Sequence, residues 1–424
     1  MNVFKFGGAS VKNAEAVKNV ARVINLFNTP LTIVISAMGK TTNALEKVVE
    51  SYLEQDGKCF DLLNETKAFH LEIMNDLFED KNHQVYEDIH NTFVEIEWEI
   101  EDAPTREYNY VYDQIVSVGE LISTKIISAY LNNIGVTNTW CDARDIIQTD
   151  NNYRDARIDW GLTQKCVEQK LIPLFTSSPQ TVVITQGFIG SSSELFTTTL
   201  GREGSDFSAG IIAYCLNAES VTIWKDVPGM LNADPKWFDD TQKLSNISYL
   251  EAVELAYYGA TVIHPKTIKP LQNKKIPLFV KSFLNPEMEG TVINENAMKD
   301  ALIPSFIFKM NQVLISIGAK DYSFIMEDHL SHIFGLFSAQ GVKINLMQNS
   351  AISFSVAIDY DPHKTPALIG ELKKEYKILF NENLELVTIR HYDQKTIDRV
   401  TQNKEILLEQ KTRNTARMVM KNIH

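Results

Sequence analysis

The chain has 424 residues, 44% of them hydrophobic and 22% charged, with a net charge of −13. That length is too great for one ordinary hydrophobic core and predicts two or three domains of globular composition. The acidic excess excludes nucleic acid and an anionic membrane surface as main partners, and an anionic substrate must meet a local cationic pocket.

Val3–Phe6 reads as a short apolar strand rather than part of a signal peptide. Val17, Val20, Ala21 and Ile24 mark the buried face of the next helix, Leu31–Ser36 reads as a second strand, and Ala37–Asn43 as a polar loop. This βαβ pattern predicts a parallel sheet. Residues 45–135 read as helical and acidic. Glu87, Asp88, Glu95, Glu97, Glu99, Glu101 and Asp102 fit a solvated helix face, although 95–101 alternates like a strand. Tyr112–Tyr130 reads as one helix with Gly119-Glu120 in its interior. Strand–helix alternation returns over 140–295, with strands at Thr181–Thr185, Val221–Trp224 and Leu278–Lys281. Asn285-Pro286 and Gly290-Thr291 punctuate the end of that region.

Residues 296–424 change character. Strand Val313–Ile317, a helix near Asp328–Gln340, strands Lys343–Leu346 and Ile352–Ile358, helix Pro366–Tyr376 and strand Lys377–Asn381 make a βαββαβ module. A weaker echo follows in strand Leu386–Arg390, helix Gln394–Asn403 and strands Glu405–Glu409 and Ala416–Met420, and stops at His424 without a last helix and strand. No apolar run approaches a transmembrane helix. Cys59, Cys141, Cys166 and Cys215 form no CxxC and read as free thiols of a reducing cytoplasm.

The chemistry concentrates in two segments. Thr197–Asp206 is a run of hydroxyls, then Gly201-Arg202, then an aspartate opening an apolar helix from Phe207 to Leu216. Side-chain donors and unpaired helix N–H groups there could hold a carboxylate and touch a phosphate. Lys5-Phe6-Gly7-Gly8-Ala9-Ser10 places a lysine at a strand end and a Gly-Gly turn before a helix expected to start at about Ser10, which suits a phosphate equally well as a tight βα connection. GxxxxGK[ST], GxGxxG, HExxH and GxSxG are absent from the sequence. A phosphoryl-transfer enzyme acting on an acidic substrate is the leading reading.

Lys5–Val11 resembles the opening motif of the aspartate kinases, of the amino-acid kinase superfamily, and Thr197–Asp206 resembles their second motif. Trp224-Lys225-Asp226-Val227-Pro228-Gly229 with Ala233-Asp234-Pro235 resembles their nucleotide loop, and Gly259–Pro265 a further segment. The C-terminal βαββαβ module resembles an ACT domain. The resemblance implies an amino-acid kinase fold over 1–294, a largely parallel sheet flanked by helices. Ferredoxin-like α+β ACT modules would follow at 300–382 and, truncated, at 383–424. It also implies transfer of the γ-phosphoryl group of ATP, with Mg²⁺, to the β-carboxylate of L-aspartate. Lys5 would stabilise the transferred group and Asp206 would orient Lys5. Arg202 would take the α-carboxylate, Glu120 the α-ammonium, and Thr42 would lie near substrate. Lys5, Gly7, Gly8, Ser10, Ser36, Lys225, Asp226, Leu231, Asp234 and Lys236 would contact ATP. Met326 and Asn345 would contact an amino-acid effector, lysine or threonine, and the C-terminal region would pair into a dimer or larger assembly. No resident metal site is expected, and His264 reads as a packed residue because the reaction moves no proton.

The chain departs from the family pattern at several points. Ala9 replaces a usual threonine, Glu203 a common glycine, Lys225 a threonine, Leu231 a frequent tyrosine and Lys236 an arginine, and Thr261 stands where some members have lysine. Two rival readings share these residues: an acetylglutamate or glutamate kinase, and an amino-acid sensor without turnover.

Overall fold

A computed structural model describes residues 1–177, 181–260, 263–321 and 323–423. The chain divides into two compact units. The first is Met1–Met230, Lys243–Val253 and Val262–Ala297; the second is Leu231–Gln242, Glu254–Thr261 and Met298–His424.

The first unit is built on a sheet of eight described strands. Their spatial order is Thr139–Cys141, Val182–Gln186, Leu31–Ile35, Asn2–Phe6, Ser220–Lys225, Leu278–Ser282, Thr291–Asn294, Asn246–Ser248. The first six run parallel; Thr291–Asn294 pairs antiparallel to Leu278–Ser282 and parallel to Asn246–Ser248. The central strands Asn2–Phe6, Leu31–Ile35 and Ser220–Lys225 are mostly apolar, as strands covered by helices on both faces require, with Lys5 and Lys225 as the charged exceptions near their carboxyl ends. Phe4 and Phe6 pack on Trp224 of the neighbouring strand, with ring centroids 5.5 and 6.0 Å apart. The expected βαβ entry is present, with Val17, Val20, Ala21 and Ile24 buried on helix Ala14–Ile24.

Several local expectations change. Gly8–Val11 forms a single 3₁₀ turn, and the α-helix begins only at Ala14, where the Asn13 side chain accepts the Ala16 N–H. Ser10 therefore does not start a helix. The loop after Leu31–Ile35 ends sooner than expected, because helix Thr41–Glu54 takes in Thr41–Asn43. The stretch 95–101 is helical within Val85–Glu101: its isoleucines and phenylalanine reach the core at helical spacing. Tyr112–Tyr130 is two helices, Tyr108–Val116 and Val118–Asn133, broken at Ser117, whose hydroxyl donates to the Gln114 carbonyl. Gly119-Glu120 thus lies in a first helical turn. Gly290-Thr291 leads into a strand of the same sheet instead of leaving it.

The second unit holds a six-stranded antiparallel sheet with the order Ile344–Asn349, Ser353–Asp359, Ser305–Ala319, Tyr376–Arg390, Thr415–Asn422, Lys404–Lys411. Helices Glu327–Ala339, Lys364–Glu375 and Gln394–Thr401 follow in the expected order. The two long strands pair with each other in two stretches separated by register shifts between Lys309 and Leu314. Ser305–Lys309 faces Leu386–Arg390, and Leu314–Ala319 faces Tyr376–Asn381. Lys377–Asn381 and Leu386–Arg390, expected as separate strands, are one continuous strand.

Candidate active site

Strand alternation puts Lys5 and Lys225 on the sheet face opposite Phe4, Phe6 and Trp224. Lys5 lies one residue before the carboxyl end of its strand, Lys225 ends the adjacent parallel strand, and Ser36 follows the strand on the other side. Helix Gly204–Leu216 carries Asp206 in its first turn, where a carboxylate also suits the helix dipole. Lys5 Nζ lies 2.7 Å from Asp206 Oδ1, and Lys225 Nζ lies 3.5 Å from Asp206 Oδ2. Burial pushes the Asp206 carboxyl up, but the two ammonium groups outweigh it and hold the group below the usual carboxylate range.

These residues line a pocket of about 570 Å³ with Thr42, Glu120 and Arg202. Seven sequence-predicted residues, Lys5, Ser36, Thr42, Glu120, Arg202, Asp206 and Lys225, therefore meet in one place. Glu120 is 3% exposed, and its Oε2 has no hydrogen-bond partner. Burial pushes its carboxyl up to about 8, against the pull of Lys5 and of the Ala37 amide. A buried acid left open on one oxygen is prepared to receive a cationic donor.

Arg202 sits on a sharp connection between strand Thr197–Thr199 and helix Gly204–Leu216. Gly201 has φ +74°, and a Cβ there would come within 2.8 Å of Asp155 Oδ1, so the glycine lets the loop turn and pack. Glu203, at the position where the motif has glycine, has φ +54° and a buried Oε2 without a hydrogen bond. The glycine departure is thus accommodated with backbone strain at the pocket wall.

Gly7 and Gly8 do not line the pocket but adjoin it. A Cβ on Gly7 would lie 3.3 Å from Lys5 Nζ, and one on Gly8 would come within 2.8 Å of Gly39 O and 2.9 Å of Ala37 O. The Gly-Gly turn therefore presses on the 37–39 loop, and Gly39 N–H donates to Gly8 O at 3.1 Å. Ser10 is buried behind this turn, and Asp226 is exposed just past Lys225. Leu231, Asp234 and Lys236 belong to the second unit, where Lys236 N–H closes a turn on Asp234 Oδ1 at 2.9 Å. His264 caps helix Pro265–Lys274 by accepting Lys266 N–H, which fits a packed residue. Thr261 lies outside the described residues.

Sequence reasoning missed Glu46, Tyr112, Arg154 and Phe188, which also line the pocket, as does Thr199 of the hydroxyl run. Glu46 could have been found, since it stands four residues after Thr42 on the same helix face. In the second unit Met326 is 54% exposed at the start of helix Glu327–Ala339. Asn345 Oδ1 accepts from Lys309 Nζ at 2.7 Å and its Nδ2 donates to Gln312 Oε1 at 2.9 Å. Among the described residues no cluster of three or more His, Cys, Asp or Glu could hold a metal, and no helix is long and apolar enough to cross a membrane.

The arrangement gathers four cations, Lys5, Arg154, Arg202 and Lys225, around a space large enough for a small anion. The sequence pattern of the amino acid kinase family matches residues 1–282. Lysine-sensitive aspartokinase 3 of Escherichia coli K12 is 29% identical over 394 residues, covering 91% of this chain and 86% of that one. Chloroplastic aspartokinase 3 of Arabidopsis thaliana is 31% identical over 398 residues, covering 88% and 68%. The crystal structure of E. coli aspartokinase III with lysine and aspartate matches with a TM-score of 0.84 at 27% identity, covering 99% of this chain and 95% of the other. The same enzyme with aspartate and ADP matches with a TM-score of 0.81 at 26% identity, covering 99% and 96%.

Proposed function

We infer that this chain, which belongs to the amino acid kinase family and within it to the aspartokinases, transfers the γ-phosphoryl group of ATP to the β-carboxylate of L-aspartate, giving 4-phospho-L-aspartate and ADP. The observation that carries the reading is the buried Lys5–Asp206 pair, with half-buried Lys225 beside it, in a pocket that also holds Arg202, Glu120 and Thr42.

The attacking carboxylate is already ionised at neutral pH, so the reaction needs no general base. Its difficulty is repulsion between two anions, which fixed cations relieve. Lys5 approaches the transferred phosphoryl group, and Asp206, 2.7 Å from its ammonium, keeps it aimed. Lys225 extends the positive floor toward the leaving phosphates. Gly7 and Gly8 fit a close phosphate approach, and the charge of the phosphate chain would be further neutralised by Mg²⁺ bound with ATP. Arg202 offers a planar fork to the α-carboxylate. Glu120 loses its proton on meeting the α-ammonium, and Thr42 contributes a hydroxyl. Asp226, just past Lys225, adds to the nucleotide contacts.

We read residues 300–382 and 383–424 as two ACT-like modules that pair between copies and bind an amino-acid effector near Met326 and Asn345, with lysine the first candidate. Coupled detection of ADP release with aspartate, glutamate and N-acetylglutamate tests the reading, with hydroxylamine trapping of the acyl phosphate. ADP formation and trapping with aspartate alone is expected; none with aspartate overturns it.

A further inference from the structure

Arg154 has φ +68°, in the left-handed region that favours glycine. Its loop is held there firmly. Both oxygens of the fully buried Asp113 accept Arg154 N–H, at 3.2 and 3.0 Å, and Ala156 N–H donates to Thr199 O at 3.0 Å. The side chain then runs over two rings: its Cζ lies 4.3 Å from the Tyr112 centroid and 5.1 Å from that of Tyr108. The two ring faces hold the guanidinium by cation–π attraction, which does not use up its N–H donors. Arg154 Nη2 is 3.7 Å from Glu46 Oε1, a charge contact too long for a hydrogen bond. Glu46 has a second partner in the Tyr108 hydroxyl. Arg154 and Glu46 line the same pocket as Arg202.

A strained backbone, a buried carboxylate clamp and a two-ring prop are more support than a surface ion pair requires. We propose that Arg154 is a specificity-determining residue of the substrate site: a second guanidinium that joins Arg202 on the α-carboxylate, with Glu46 as the internal competitor that the substrate displaces. This rests on the reading of an amino-dicarboxylate substrate. A bidentate carboxylate outcompetes Glu46 because it can form the hydrogen bonds that the 3.7 Å contact lacks. The pair then rejects ligands without a carboxylate at that end, since they would leave Glu46 in place and gain nothing.

The test uses the full chain with Arg154→Gln and Glu46→Gln. The two variants should act with opposite signs. Arg154→Gln should raise KM for aspartate by about 10-fold or more, the scale of a lost charge-assisted contact, while the KM for ATP stays within about twofold. Glu46→Gln should lower KM for aspartate by about threefold, because it removes the competitor. If Arg154 only braces its loop, both changes loosen the same brace and move KM the same way. That result, or a KM for aspartate within about twofold of the parent in Arg154→Gln, overturns the inference. Glu46→Gln keeps the stack on Tyr108 and Tyr112, so it decides the question even if Arg154→Gln folds poorly. Calorimetric titration of L-aspartate without ATP reads the same shifts as Kd. A parent that binds aspartate without turning it over refutes the functional reading and leaves Arg154 to the Kd values; a parent that turns it over, with unmoved variants, refutes Arg154 alone.

Discussion

Asp113 holds Thr199 at two points: its Oδ1 accepts the Thr199 hydroxyl at 2.7 Å and its Oδ2 accepts the Thr199 N–H at 2.8 Å. The same carboxylate takes the Arg154 amide, so one buried group ties helix Tyr108–Val116 to the strand that delivers Arg202. Burial pushes Asp113 up to about 6 despite these donors. Asp113→Asn would turn an NH₂ group toward N–H donors. We expect a loss of about 1–3 kcal/mol in stability and a rise in KM for aspartate. Thermal melting and steady-state kinetics check it; an unchanged melting temperature would contradict the clamp.

Lys5→Met should lower kcat by about 10²-fold or more, with a much smaller change in KM for aspartate, because the ammonium acts on charge that grows in the transition state. A variant within about threefold of the parent in kcat would remove Lys5 from the reaction.

Burial raises Glu120 to about 8, above pH 7, so the acid should carry a proton before substrate arrives. Aspartate's ammonium should ionise it, so binding at pH 7 should release a proton. Calorimetry in two buffers of different ionisation enthalpy measures this; identical enthalpies would count against it. The sign for stability follows from the same shift. A raised acid favours the folded state at low pH, and that contribution declines from about pH 4.5 to about 8 at about 1.4 kcal/mol per unit. Glu120→Gln should therefore gain in melting temperature over the parent as pH rises through that window.

Aspartate should exceed glutamate in kcat/KM by at least about 10²-fold. One methylene is worth only about 1–3 kcal/mol in a pocket, and misplacement of the attacking carboxylate adds to it. Equal rates would point to an amino-acid kinase of broader choice.

Lysine at millimolar concentration should inhibit and raise the melting temperature, and light scattering should find a dimer or larger assembly. Inhibition requires tighter binding to a low-activity state. Flat activity and melting temperature with lysine and threonine alike would leave the C-terminal unit a structural element.

The fold was legible wherever a segment's neighbours in space are dictated by its own pattern. Apolar runs such as Leu31–Ile35 need cover on both faces, and glycine-flanked Arg202 marks a turn wherever it is placed. The break at Ser117 was illegible, because neither glycine nor proline occupies that position and 112–130 is apolar enough to read as one helix with Gly119 inside it. Asp113 left one signal: a carboxylate among Val111, Tyr112, Ile115 and Val116 on a buried face. Its partners are 41 and 86 residues away, and no local spacing predicts them. Arg154 was hidden for the same reason, since a positive φ at an arginine is imposed by tertiary contacts rather than by propensity.

The strands Ser305–Ala319 and Tyr376–Arg390 each serve two ladders, with the irregular stretch between Lys309 and Leu314 as the only seam. Neither half of the C-terminal sheet can consequently be excised, swapped or circularly permuted as a cassette. A cut that frees residues 300–382 also strips Ser305–Lys309 from its partner Leu386–Arg390, and deleting 383–424 leaves Phe306 and Ile307 on a raw, aggregation-prone edge. Gene fusion and shuffling would have to carry the whole of 298–424 as one indivisible cartridge.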